Sequence, residues 1–198
     1  MNKKWEHFKL VMTHKKYVFK YCKQAGIFWR GVKHDLSKLS PIEFNESAKY
    51  FTGDRSPIDN CKAINGYSKA WQHHKGRNTH HWEYWVDNLS KGGTPIQMPF
   101  LDAVELICDY LGAGQAYMKD KFSFSAEWNW WQKKKQNERM LMHPQTMIFV
   151  DLVLEQLAIE ENSKMISKSF MEAMYESATD IYNAEKEIER IKGEKEND

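Results

Sequence analysis

Histidine and aspartate are the residues of this chain whose types and spacing could do chemistry. They fall in order as His14, the pair His34-Asp35, the pair His73-His74, the pair His80-His81, and Asp109. Neutral imidazole and carboxylate suit Zn, Fe, Mn, Ni or Co better than ions that prefer thiolate. One such residue alone carries little. An inward histidine is more often a hydrogen-bonded core residue, and a lone Asp109 can pair with a lysine. Together they ask for a shared partner, because each buried polar group left unpaired costs kilocalories and a metal satisfies several at once. The expected ligands are His14, His34, Asp35, His74, His80, His81 and Asp109. The expected cofactor is a divalent transition metal, one or two ions of Mn, Fe, Ni, Co or Zn.

Helix geometry limits which histidines can share an ion. On an unbroken helix, His74 and His81, seven positions apart, stand about 10.5 Å apart along the axis, whereas metal–nitrogen bonds are about 2.0–2.1 Å. Either Gly76 breaks the helix, or two ions about 3.5–4 Å apart share the ligands. The break is the favoured reading, with His74 and His80 preferred over their neighbours. His73 is expected to face away from His74, because adjacent helical positions point about 100° apart. His7 shares the face of His14 but lies two turns away and is set aside as a ligand.

The elements that must position these residues read as helices. Residues 3–24 place His7, Leu10, Val11, His14, Val18 and Tyr21 on one face, with lysines opposite and Gly26 as a stop. Residues 27–38 read as a short helix carrying Lys33-His34-Asp35-Leu36-Ser37-Lys38. Ser40-Pro41-Ile42-Glu43 reads as the start of a helix to about Phe51, with serine as cap and proline first. A loop is expected over 52–60, then helix over 61–75, then a loop from Lys91 to Pro99. Residues 100–118 form a long apolar helix holding Asp109. Residues 119–143 are polar and aromatic. Two further helices are expected over 145–161 and 164–192, with a frayed, charged end. No strand and no internal repeat is evident. The expectation is one all-α domain over 1–198: a core of about 3–118, a C-terminal helical extension of about 119–192, and a charged tail over 193–198.

Composition bounds the function classes. The 198 residues suit one domain with room for a core, and 41% hydrophobic residues suffice to fold it. A net charge of +2 argues against a dedicated duplex-DNA binder; the run Lys133-Lys134-Lys135 reads as a solvated face. Cys22, Cys61 and Cys108 form no CxxC pattern, so neither a disulfide framework nor a thiolate zinc cage is expected. No segment approaches the roughly 20 apolar residues of a membrane span. A cytoplasmic protein without membrane attachment is therefore expected. Trp71, Trp82 and Trp85 read as core, with base stacking as the alternative. Trp128, Trp130 and Trp131 read as a lid or an interface patch.

The order His14, then His34-Asp35-x-x-Lys38, then later histidines, then Ile107-Cys108-Asp109-Tyr110-Leu111-Gly112-Ala113 resembles the HD superfamily of metal-dependent phosphohydrolases, over about residues 10–118. The added histidines resemble its two-metal branches such as the HD-GYP group. The Gly-Tyr-Pro signature is absent, so a cyclic dinucleotide substrate is not implied. The stretch His73-His74-x-x-Arg77-Asn78-x-His80-His81-Trp82-Glu83-Tyr84-Trp85 is similar to an uncharacterised phage and bacterial family, which brings no activity with it.

The HD resemblance implies an HD-like helical bundle with extra C-terminal helices. It implies that His14, His34, Asp35 and Asp109 hold a first ion. His74, His80 and His81 would hold a second or flank the substrate, with Asp35 bridging. A metal-bound water, its pKa lowered, would attack phosphorus. Lys38 and Arg77 would neutralise phosphate oxygens, and Glu83 would orient a ligand or shuttle a proton. Lys38 pairing with Glu43, Arg77 on a solvated turn, and an exposed Glu83 are the alternatives. The implied activity is a phosphohydrolase or phosphodiesterase on a small phosphorylated, nucleotide-like substrate. The alternatives are an HD-fold di-iron oxygenase and a non-catalytic phage or host interaction protein. A homodimer through the C-terminal helices is left open.

Overall fold

The structure is a computed structural model and describes residues 2–137 and 140–195. It is all-α apart from one short strand pair. Helix α1 (Lys3–Gln24) starts where the Asn2 side chain accepts from the Lys4 backbone N–H at 3.1 Å. As its periodicity predicts, α1 turns His7, Val11, His14, Val18 and Tyr21 inward; Leu10 is only half-buried, and Cys22, not on the expected face, is buried too. Helix α6 (Phe100–Met118) is the buried axis of the fold, enclosing Val104 through Gly112. The two helices pack tightly at Gly112, where a Cβ would lie 2.4 Å from Val18 Cγ2 and 2.9 Å from the Val18 backbone N. Only glycine permits that approach. His14 lies one turn before Val18, and Asp109 one turn before Gly112. The same close contact therefore sets His14 against Asp109.

The segment between these helices departs from the expected pattern where the site is built. The helix expected over 27–38 stops early, as α2 (Phe28–Lys33). His34 is its extended C-cap (ψ 128°) and Asp35 sits in the left-handed region (φ 54°, ψ 26°) before a 3₁₀ turn, Leu36–Leu39. Aspartate is one of the few non-glycine residues that tolerates this region. Helix α3 (Pro41–Tyr50) starts at Pro41 as predicted, but Ser40 makes no side-chain cap and Glu43 turns inward instead. The expected loop ends at Ser56, since Pro57 opens α4 (Pro57–Asn65). The single helix expected over 61–75 is two: Gly66 (φ 77°) ends α4, and Ser68 caps α5 (Lys69–Lys75) through Trp71 N at 3.0 Å. Gly76 ends α5, which is the break that the histidine spacing required. Residues 86–95 hold a two-residue antiparallel pair that was not expected, β1 (Val86–Asp87) and β2 (Thr94–Pro95).

The remaining helices are α7 (Phe124–Asn137), α8 (Pro144–Glu160) and α9 (Lys168–Lys195). Helix α9 continues to Lys195, past the end expected at 192; residues 196–198 of the charged tail lie outside the described residues. One buried cluster runs from Val18 and Ile107 through Trp131, Phe149 and Leu157 to Met171 and Ala178. The C-terminal helices thus share a core with the first 118 residues. Among the described residues no helix is long and apolar enough to cross a membrane. The three cysteines are buried and unbridged.

Candidate metal centre

Four parts of the chain meet at the middle of α6. His14 comes from α1, Asp109 from α6, His34 and Asp35 from the break after α2, and His74, His80 and His81 from the end of α5 and the turn after Gly76. All seven expected ligands are thereby brought together, six of them buried and His81 partly so. They form two donor groups joined by Asp35.

The first group is His14, His34, Asp35 and Asp109. His14 Nε2 lies 3.3 Å from Asp35 Oδ2, 3.1 Å from Asp109 Oδ1 and 3.4 Å from His34 Nε2. His34 Nε2 lies 3.2 Å from Asp35 Oδ2 and 3.3 Å from Asp109 Oδ1. Donors bound about 2.0–2.2 Å from one ion stand about 3.0–3.5 Å apart in octahedral or tetrahedral coordination. These five separations fall in that range. The second group is Asp35, His74, His80 and His81. Asp35 Oδ1 lies 3.2 Å from His74 Nε2 and 3.5 Å from His80 Nε2. Asp35 Oδ1 and the Nε2 atoms of His74, His80 and His81 are all buried with no hydrogen-bond partner. Four orphaned lone-pair donors within one small volume are costly unless something binds them together. The donor set therefore fits divalent metal: His14, His34, Asp35 and Asp109 would hold one ion, and Asp35, His74, His80 and His81 a second.

Behind the donors stand two carboxylates that aim the rings. Glu105 Oε1 lies 2.9 Å from His34 Nδ1 and 3.3 Å from His80 Nδ1. Glu43 Oε2 lies 2.8 Å from His74 Nδ1, and Ser37 Oγ lies 3.1 Å from the same atom. Carboxylates at Nδ1 fix the ring orientation and leave Nε2 for a metal. Arg30 holds Glu105 and Asp102 at 2.8 Å each. Neither Glu43 nor Glu105 was expected at the site. Glu105 had a signal: it is a buried charge within an apolar helix, one turn before Asp109 on the same face. Glu43 was masked by its resemblance to a capping residue.

The electrostatics follow from this packing. Burial opposes ionisation of Asp35 and Asp109, but the neighbouring imidazoles, with Lys38 at Asp35, outweigh it and hold both carboxyls well below their usual range. Burial likewise works against the Glu105 carboxylate, yet its bonds to His34 and His80 bring it down to about 2. His81 is held well below the usual histidine range by burial and by His80 and His74, so its ring stays neutral.

The three expected substrate-side residues part company. Lys38 is at the centre, its Nζ 2.5 Å from Asp35 Oδ2; it does not pair with Glu43, which is taken up by His73 and His74. Arg77 is exposed and donates to His73 O at 3.4 Å. It borders an open cleft with Trp29, Lys33, His34 and His80. Glu83 stands in the 3₁₀ turn Trp82–Trp85 and, among the described residues, makes no hydrogen bond or ion pair with the donors. Burial raises its carboxyl, and the charges acting on it are Lys134, Lys62 and Lys75. His73 corrects another expectation. It does not point away from His74, since both rings engage Glu43. Trp71 packs edge-on against His81, at 4.9 Å between centroids, and walls the second group. Trp85 donates to Thr79 O at 2.7 Å, bracing the His80 turn. Trp131 is core, donating to Asp151 at 2.6 Å, so only Trp130 of its cluster is open enough for a surface role.

A cavity of about 170 Å³ opens beside the first donor group. His14, Asp109, Lys38 and Tyr117 line it, together with the apolar Leu10, Val11, Pro57 and Ile58.

Comparison with curated proteins and with solved structures gave no match. One family matches, over residues 3–156, and is described as a family of unknown function, DUF5662. That span takes in every donor of the centre, Glu43, Glu105, and the helices α1 and α6 that set them face to face. It covers most of the chain, and the protein belongs to the DUF5662 family.

Proposed function

We propose that this chain is a two-metal hydrolase of phosphorus ester bonds in small phosphorylated molecules, built on an HD-like centre. The observation that carries this reading is Asp35. Its two oxygens face two separate imidazole groups, and the oxygen toward the second group is orphaned together with three histidine Nε2 atoms. His14, His34, Asp35 and Asp109 would hold one ion, and Asp35, His74, His80 and His81 the other. Bound ions would lower the pKa of a coordinated water toward neutrality and polarise the phosphoryl group. The remaining work belongs to the protein. Glu43 and Glu105 keep the rings oriented. Lys38, beside the donors, would meet phosphoryl oxygens as a point charge. The apolar lining excludes bulk water and strengthens each charge interaction.

Five imidazoles also suit two irons, so the second reading is a di-iron oxygenase. Metal analysis of protein purified without chelator separates these readings and tests both. About two ions per chain are expected in the wild type, with a large loss in His34→Ala. Phosphate release with Mn, Co or Ni supports the hydrolase, and oxygen consumption with iron supports the oxygenase. Full metal content in His34→Ala would sink the centre as described. Intact stability and no metal in the wild type would favour a non-catalytic interaction protein.

A further inference from the structure

His7 is buried (5% exposed) on the same face of α1 as His14 and lines the cavity above the first donor group. Its ring sits against Phe44 and Phe51, at 5.2 and 5.6 Å between centroids. Its Nδ1 is fully buried and has no hydrogen-bond partner among the described residues. A polar ring left unpaired in such a place costs stability, and nothing in the metal centre uses it. The cavity it lines is about 170 Å³, below the roughly 300–1,000 Å³ typical of sites for drug-sized ligands. Its only lysine or arginine is Lys38, next to the donor group.

We infer that the substrate is a compact ester of a single phosphoryl group, carrying one neutral polar group at its far end that hydrogen-bonds to His7. This deepens the hydrolase reading and rests on it for the phosphoryl end. Seven residues of helix separate His7 from His14, about 10.5 Å along the axis. A metal–oxygen bond and a hydrogen bond at the two ends take up about 5 Å of that span. The rest matches a phosphoryl group and a chain of about three carbons. Leu10, Val11, Pro57 and Ile58 would cover that chain. Burial and the charge of Lys38 hold the His7 imidazole down to about 4, so at neutral pH it offers one donor and one acceptor and no charge. That favours a hydroxyl or amide over a second anion. A cavity of this size favours a compact ester over a nucleoside. His7 is thus a specificity residue, outside the reacting atoms.

The test is calorimetric titration of the full, Mn-loaded chain with three probes: 3-hydroxypropylphosphonate, propylphosphonate and adenosine 5′-monophosphate. The first should bind about tenfold more tightly than the second, the worth of one hydrogen bond, and at least tenfold more tightly than the third. In His7→Leu the first two should become equal, with propylphosphonate affinity and metal content unchanged. His7→Gln should restore part of the difference, which a purely structural role for His7 would not produce. Equal affinity of the two phosphonates in the wild type would overturn the inference, as would tighter binding of the nucleotide, or no binding of either phosphonate. Phosphonate discrimination without phosphate release from any ester would instead count against hydrolysis alone. Release from nucleotides without discrimination would count against the role of His7 alone.

Discussion

Asp35 shows how much one residue's backbone can decide. Its left-handed conformation (φ 54°) ends the run from α2 and lets the carboxylate face two histidine groups at once. Backbone in this region is costly for most residues and tends to be found where function requires it. Glu105 is its counterpart behind the rings, joining His34, His80 and Arg30. Glu105→Gln keeps the shape but removes the charge that orients and polarises two imidazoles. Metal affinity should fall about 10- to 100-fold, read by titration against a competing chelator. Unchanged affinity would mean that the rings are held by packing alone.

Between elements, the contact of α1 with α6 sets the floor of the site, and α7 closes over the other side of α6. That closure buries Glu127 (2% exposed) against Gly114, where a Cβ would clash with the carboxylate. Burial, and then the charge of Asp109, push the Glu127 carboxyl from 4.5 up to about 8. The fold therefore tolerates the protonated form. Below pH 4.5 both folded and unfolded chains are protonated and nothing is lost. As pH rises toward about 8, the unfolded chain ionises and the folded one does not, so stability falls by up to about 1.4 kcal/mol per pH unit. Glu127→Gln removes this penalty. It should stabilise the protein by about 3–5 kcal/mol at pH 8.5 and by less than about 1 kcal/mol at pH 5, on the order of the shift cited. Denaturant unfolding at the two pH values checks this, and an equal effect at both would refute it.

Across the whole molecule, the family match ends at residue 156, yet the core does not. Helix α9 places Met171 and Ala178 in the central cluster, and Tyr175 Oη donates to Met98 O at 2.7 Å, beside the start of α6. A chain ending at residue 162 would expose that face of α8 and α6. Losing the burial of Met171 alone costs about 1.5–3 kcal/mol, and the neighbouring contacts add to it. Set against the 5–15 kcal/mol of a typical domain, the truncated chain should lose its cooperative thermal transition or melt at least 15 °C lower. Scanning calorimetry on the two lengths decides it. An unchanged transition would make α9 an appendage.

The all-α class, α1, α6, the Pro41 helix start and the break at Gly76 were legible in the sequence, because periodicity, proline and glycine act locally. The set of seven donors was legible as well, because chemistry clusters by residue type. The HD resemblance also implied how that set divides, with Asp35 shared between the two groups. What stayed hidden was the local backbone and the support behind the rings: the sequence read His34 and Asp35 as one helical pair, took Glu43 for a capping residue and passed over Glu105. Those features depend on a left-handed residue, a Gly112–Val18 approach, and carboxylates brought to histidines 30 and 71 residues away. Such contacts are decided by packing across elements. The sequence by itself therefore determined which groups could bind metal, and only the tertiary structure decided which oxygen of Asp35 faces which histidines.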